Sequence, residues 1–327
     1  MQTLLKTTQA YTLLENEGKR EGFSHAYLLL LDDTRHLRIA MKTFAKLLFS
    51  CTDKRTEEEK RISDLIDTES FSDCIFFPEN GKKLSVEDAE KIREESTLAP
   101  IEGDKKVFLI GDFSDANVQT QNKLLKLLEE PPEGVIFLLG ASSVFPVLPT
   151  ILSRTKKLEI LSFDIEAVTS CLSRIYADKY DAETLALCAA ASNGNVGDAR
   201  NLLEGGHHRS LTETAFSLTL APVSKLPTLV KQIGETAYKK ELLSLLRLIF
   251  RDALLLKTQR ANAAKSLMLI TEKTRLTEVA KKYTPSALIY AQESISKAEK
   301  QIKFNAVFPQ CLEICLANIY AENEKRK

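Results

Sequence analysis

The segment from Gln121 to Leu139 constrains this chain most, because it obliges a helix to stop and a buried strand to start within a few residues. Leu124, Leu125, Leu127 and Leu128 keep helical spacing until the run meets Glu129-Glu130-Pro131-Pro132. Proline lacks an amide proton and its ring clashes with the preceding turn, so the helix ends there. Val135-Ile136-Phe137-Leu138-Leu139 is apolar without alternation, the pattern of a strand covered on both faces in a parallel sheet. A short helical turn follows, Pro149-Thr150-Ile151-Leu152-Ser153-Arg154, with an arginine at its end.

The rest of the first half repeats this alternation. His25 to Leu31 reads as a strand, followed by a helix whose inner face carries Ile39, Phe44, Leu47 and Leu48. A second strand is expected at Cys74–Phe77, a third at Val107–Ile110 and a closing one at Lys156–Ile160. Ser85-Val86-Glu87-Asp88 has the spacing of a capping box, and Asn117 to Glu130 reads as one helix. The charged stretch Thr52 to Glu69 reads as a solvated helix. Strands alternating with helices predict an α/β domain over residues 1–162, with a parallel sheet and functional groups beyond the carboxyl ends of its strands.

After Ser162 the strand signals cease. Residues 163–207 read as a small helical domain, in which Asn193-Gly194-Asn195-Val196-Gly197-Asp198 turns into a helix ending at Gly205-Gly206. Residues 208–327 read as all-α. Leu242, Leu245, Leu246, Ile249, Phe250, Ala253 and Leu254 make one apolar face, and Ile289, Ile295, Ile302 and Ala306 are expected to line a later one.

Forty-five acidic and 45 basic side chains cancel, which argues against a chain-wide basic field for independent nucleic-acid binding. Any DNA contact is expected to be local or shared with partners. No apolar stretch approaches the roughly 18 residues needed to cross a bilayer, and Met1 to Lys19 has no secretory pattern, so a cytoplasmic protein with no membrane contact is expected. The six cysteines contain no Cys-x-x-Cys pair and read as buried thiols.

The run Gln121 to Leu139 and the later Ser153-Arg154 resemble the core of the clamp-loader ATPase subunits of bacterial DNA polymerase III. The resemblance is strongest over His25 to Glu159 and continues faintly to Lys303-Phe304-Asn305-Ala306. It implies an AAA+ nucleotidase-like domain, a small helical lid and a helical collar for oligomerisation. It also shows what this chain lacks. Where the family carries Gly-x-x-Gly-x-Gly-Lys-Thr, Leu31, Thr34 and His36 stand at the glycine places, Leu37 at the lysine place and Arg38 at the threonine place. Asp32 and Asp33 would repel a triphosphate there. Gly111 replaces the first acid of the magnesium-binding pair and leaves Asp112 alone, and Gly197 stands where relatives offer an arginine to the nucleotide. Of the family's four zinc-binding cysteines only Cys51 and Cys74 have counterparts, so neither zinc nor any nucleotide cofactor is expected.

Arg154 remains. In the family the arginine of the Ser-Arg-Cys motif reaches the ATP of a neighbouring subunit, and here Thr155 replaces the cysteine without touching the guanidinium chemistry. The resemblance implies an arginine finger acting in trans, with Ser153 as a supporting turn residue. It further implies a member that binds no ATP itself, that holds a motor subunit of the gamma/tau type and the delta subunit, and that meets the sliding clamp and primed DNA indirectly as part of a DNA polymerase holoenzyme. Two other readings are a motor subunit with eroded motifs, and a DNA-binding accessory protein using Lys82, Lys83, Lys105 and Lys106. Those lysines read more simply as solvated turn residues. His25, His36, His207 and His208 have no nucleophile or metal spacing around them, and the His207-His208 pair reads as a hinge.

Overall fold

A computed structural model describes residues 1–20, 22–49, 56–79, 81–259 and 267–325, and divides the chain into two compact units, Met1–Ser162 and Phe163–Lys327. The first unit runs α1 (Gln2–Leu5), α2 (Gln9–Arg20), β1 (Ala26–Leu31), α3 (Thr34–Phe49), α4 (Glu57–Asp67), β2 (Cys74–Phe77), α5 (Val86–Ser96), β3 (Lys106–Ile110), α6 (Val118–Glu129), β4 (Val135–Ala141), α7 (Pro149–Leu152) and β5 (Lys156–Ile160).

Its five strands pair in parallel in the order β2-β3-β4-β1-β5. The central strands β1, β3 and β4 are buried at every residue, which is why they read as unbroken apolar runs. At the edge, β5 alternates, burying Leu158 and Ile160 and exposing Lys156, Lys157 and Glu159. On one face Leu28, Leu30, Phe108, Ile110, Phe137 and Leu139 pack with Ile92 of α5 and with Leu124 and Leu128 of α6. Helix α3 meets the strands from the other face, where Met41 lies against Gly111 and Gly140. The register places Leu30 beside Ala141 and Ile110 beside Leu139. The strand ends therefore bring Asp33, Asp112 and Ser142 to the same end of the sheet.

The local signals behave as their chemistry requires. Ser85 and Asp88 form the anticipated capping box, Thr56 and Glu59 form another at the start of α4, and the Asn117 side chain accepts the Thr120 amide at 2.8 Å. Asp73, fully buried, folds the loop before β3 around itself by accepting the amides of Ile101, Glu102 and Gly103 at 2.7, 2.8 and 3.0 Å.

The second unit is helical throughout its described residues: α8 (Ile165–Tyr176), α9 (Ala182–Ala191), α10 (Val196–Glu204), α11 (His208–Leu220), α12 (Leu226–Ile233), α13 (Lys239–Gln259), α14 (Lys273–Lys282), α15 (Pro285–Lys303) and α16 (Phe308–Glu324). Both expected stretches, 163–207 and 208–327, lie within it. Gly194 is held at φ +79° with its missing Cβ position 2.0 Å from the Phe163 carbonyl oxygen, a place only glycine can take. Helix α13 packs on α9, α11, α14 and α15, and α15 packs on α16.

One expected face is corrected. Ile289 is 60% exposed, and Ala306 falls beyond the end of α15. The buried stripe of α15 is Ala287, Leu288, Ala291, Ile295 and Ala298. Six residues from Ile289 to Ile295 turn a helix by about 240°, whereas seven from Leu288 return almost to the same side.

Candidate functional site

The residues laid on the phosphate-loop pattern do not form a loop. Leu31 ends β1, Thr34 begins α3, and only Asp32 and Asp33 lie between. Of the five, Thr34 alone is exposed, while Leu31, His36 and Leu37 are buried and Arg38 is half-buried. The buried Asp33 carboxylate accepts the His36 amide at 3.1 Å through Oδ1, and its Oδ2 lies 2.8 Å from His36 Nδ1. A helix N-terminus attracts anions because its first amides have no partners within the helix. Here the chain's own carboxylate takes that position. Asp33 thus caps α3 with a side chain of the chain itself.

Arg38 turns away from this end. Its guanidinium hydrogen-bonds both carboxylate oxygens of Glu69, donates to the Pro78 carbonyl at 3.2 Å and lies 4.5 Å from the centre of the Phe76 ring. The Arg38 hydrogen bonds, helped by Lys42 at 2.8 Å, hold the Glu69 carboxyl down to about 2. Arg38 is thus committed to joining α3 with the residues after α4.

Gly111 follows β3, at the place where the family resemblance puts an acid. A Cβ at Gly111 would lie 2.7 Å from Met41 Sδ, and one at Gly140 only 2.4 Å from it. The thioether occupies the space above both strand ends. Asp112 is a cap: Oδ1 accepts the Ser114 amide at 3.0 Å and the Ser142 amide at 3.2 Å, tying the end of β3 to the end of β4. The Ser114 hydroxyl accepts the amides of Ser142 at 2.8 Å and Ser143 at 3.1 Å, completing that tie. In the second unit Gly197 is buried in the first turn of α10, and the next arginine, Arg200, is bound to Tyr176 at 3.0 Å and Glu204 at 3.1 Å.

Arg154 follows the C-cap of α7, Ser153. Its Nη1 donates to the Thr150 carbonyl at 2.8 Å and to the Ser153 hydroxyl at 3.1 Å, while Ser153 Oγ itself donates to the Thr150 carbonyl at 3.0 Å. Nη2 lies 2.7 Å from Oε1 of Glu129, the last residue of α6, with both side chains partly exposed. Within this chain the arginine is an ion-paired surface residue whose guanidinium sits between two helix ends. Thr155 bonds back to the Ile151 carbonyl at 3.0 Å and stays out of this cluster. Glu129 and Met41 were not singled out from the sequence. A faint signal exists for Glu129, because an acid in the last turn opposes the helix dipole and calls for a compensating cation.

The lysines of the accessory-protein reading are tied to acids: Lys82 with Glu79, Lys83 with Asp115 at 3.2 Å, Lys105 with Asp104 at 3.7 Å and Lys106 with Glu95 at 3.1 Å. Lys106 is not a solvated turn residue. It begins β3, is almost fully buried, and its ammonium also bonds the Glu95 carbonyl at 2.9 Å. Among the described residues no cluster of three or more His, Cys, Asp or Glu could hold a metal. Cys74 is buried, and Cys51 lies outside the described residues. No described helix is long and apolar enough to cross a membrane. His207 packs against Tyr238 and His208 against Tyr180, with ring centres 4.8 and 5.9 Å apart.

Comparison with known proteins bears on the first unit most directly. The family described as DNA polymerase III, delta subunit, matches residues 6–164. The chain is 26% identical over 322 residues to the DNA polymerase III subunit tau of Bacillus subtilis (strain 168), covering 89% of this chain and 56% of that protein. It is 32% identical over 157 residues to the subunit tau of Escherichia coli (strain K12), covering 47% of this chain and 23% of that protein. It therefore spans about half, or less, of the length of these relatives. Among solved structures, a DNA polymerase III gamma subunit-related protein of Thermotoga maritima aligns at 17% identity with a TM-score of 0.41, covering 97% of this chain and 100% of that one.

Proposed function

We propose that this chain, a member of the clamp-loader family through residues 6–164, is the delta prime subunit of a DNA polymerase III clamp loader, a stator that binds no nucleotide of its own. In this reading it holds the delta subunit and a gamma/tau-type motor through its helical collar, residues 208–327, and supports loading of the sliding clamp on primed DNA. Arg154, steadied by Ser153, is offered to the ATP of the neighbouring motor.

The observation that carries the reading is the Asp33 carboxylate bonded to the His36 amide and ring at the start of α3. In this reading kinship to tau proteins brings no ATP site with it, which is supported by the internal carboxylate at the start of α3 and by Met41 lying where a side chain at 111 would begin. That same observation weighs against an eroded motor. The four lysines weigh against an independent DNA-binding role, since each has an acid beside it that a phosphate would have to displace and Lys106 is buried in β3.

Chemically, an arginine supplied from outside a nucleotide site stabilises the charge that spreads over the transferring phosphoryl oxygens, and this chain needs no site of its own to supply one. Two measurements test the proposal. The purified chain should fail to bind ATP at micromolar concentration. In the complex reconstituted with the motor and delta subunits, Arg154→Ala should lower DNA- and clamp-stimulated ATP hydrolysis by about tenfold or more with assembly intact. Micromolar ATP binding would sink the stator assignment, and an unchanged rate would sink the finger.

A further inference from the structure

Helix α6 ends in an arrangement that its own stability does not explain. Glu129 is its last residue and Glu130 its C-cap, so two acids stand at the negative end of the helix dipole with Lys126 in the same last turn. The Arg154 guanidinium answers this charge from α7, with Nη2 at 2.7 Å from Glu129 Oε1. On its other side Nη1 holds the Thr150 carbonyl and the Ser153 hydroxyl. The two sides differ in kind. The Nη1 bonds are local, to the turn that carries the arginine, and any motion of that turn takes them along. The ion pair reaches 25 residues back along the chain, and with Arg154 35% and Glu129 45% exposed it stands open to solvent and to competing anions.

We infer that Glu129 is a stand-in anion for Arg154: it keeps the guanidinium ion-paired on this chain, and the terminal phosphate of a neighbour's nucleotide displaces it. The inference rests on the reading of Arg154 as a trans-acting finger. Glu129 is then a positioning residue that tunes how readily the arginine is given up. A carboxylate oxygen 2.7 Å from Nη2 accepts from the guanidinium as a phosphate oxygen would, so exchanging one for the other keeps Nη2 satisfied while the Nη1 bonds keep the turn in shape. An exposed ion pair is weak enough to be exchanged and strong enough to keep the side chain from sweeping freely.

The test is a cycle of Glu129→Gln, Arg154→Ala and the double variant in the reconstituted complex, reading KM for ATP and kcat separately. Glutamine keeps the length and shape of the side chain and removes the competing charge. Glu129→Gln alone should lower KM for ATP by about two- to fivefold, the size of an exposed ion pair, with kcat little changed. The same substitution in the Arg154→Ala background should do nothing. If Arg154→Ala is damaging but Glu129→Gln leaves KM where it was, or shifts it equally in both backgrounds, the stand-in role fails and the finger survives. If Arg154→Ala itself leaves hydrolysis intact, both fall together.

Discussion

Asp33 and His36 close a buried ring at the start of α3: one carboxylate oxygen takes the backbone amide of His36 at 3.1 Å while the other meets its imidazole Nδ1 at 2.8 Å. Removing Asp33 with alanine strips a cap and the 2.8 Å contact to the buried His36 Nδ1, at a cost of about 1–3 kcal/mol in urea denaturation. Asp33→Asn keeps the cap and should cost less. Neither change should produce ATP binding by isothermal titration, because Leu37 supplies no lysine; binding in either variant would show that the carboxylate alone had blocked the site.

Met41 and Gly111 share one volume, with 2.7 Å between the thioether sulfur and the point where a side chain at position 111 would begin. Gly111→Asp should therefore lower stability by about 1–3 kcal/mol, through overpacking and a poorly solvated carboxylate. Adding Met41→Ala to Gly111→Asp should return part of that loss, whereas Met41→Ala alone, which opens a cavity, should cost stability. Thermal unfolding of the four proteins in this cycle checks the coupling, and simple additivity would dissociate the two residues.

Burial raises the Glu241 carboxyl to about 7, with the charge of Asp198 adding to the effect. The folded chain then binds a proton more tightly than the unfolded one between about pH 4.5 and 7, so stability is lost as pH rises through that window. The wild-type unfolding free energy should fall on the order of 1–3 kcal/mol between pH 5 and 8 from this group, and Glu241→Gln should flatten that part of the profile. Parallel curves for the two proteins would assign the carboxylate an ordinary ionisation.

Asp73 organises the loop before β3 through three backbone amides. Alanine there should cost about 1–3 kcal/mol, and asparagine, with one acceptor oxygen, an intermediate amount. Amide hydrogen exchange locates the effect: residues 101–103 should exchange faster in Asp73→Ala while β4 keeps its protection.

Much of the first unit is legible in the sequence because its signals are local. The apolar runs of β1, β3 and β4, the capping box at Ser85 and the stop at Pro131-Pro132 each act within a few residues, and the structure keeps all of them. The misplaced face of α15 shows how narrowly period is read: Ile289 and Leu288 are neighbours in sequence and lie on different sides of the helix. The site is less legible, because its decisive contacts are long-range. That Arg38 is committed to Glu69, 31 residues on, or that Met41 lies against Gly111 and Gly140, cannot be read from spacing along the chain. The replaced loop positions told which groups were missing, and only three dimensions told what had taken their room.

That occupancy has a historical consequence. A vacant nucleotide site could be reopened by restoring its lost residues one at a time, each change being at worst neutral. Here a glycine at His36 or a lysine at Leu37 would give up buried contacts, and an acid at Gly111 would meet the sulfur of Met41. Restoring those residues one at a time therefore works against the packing of α3 on the sheet.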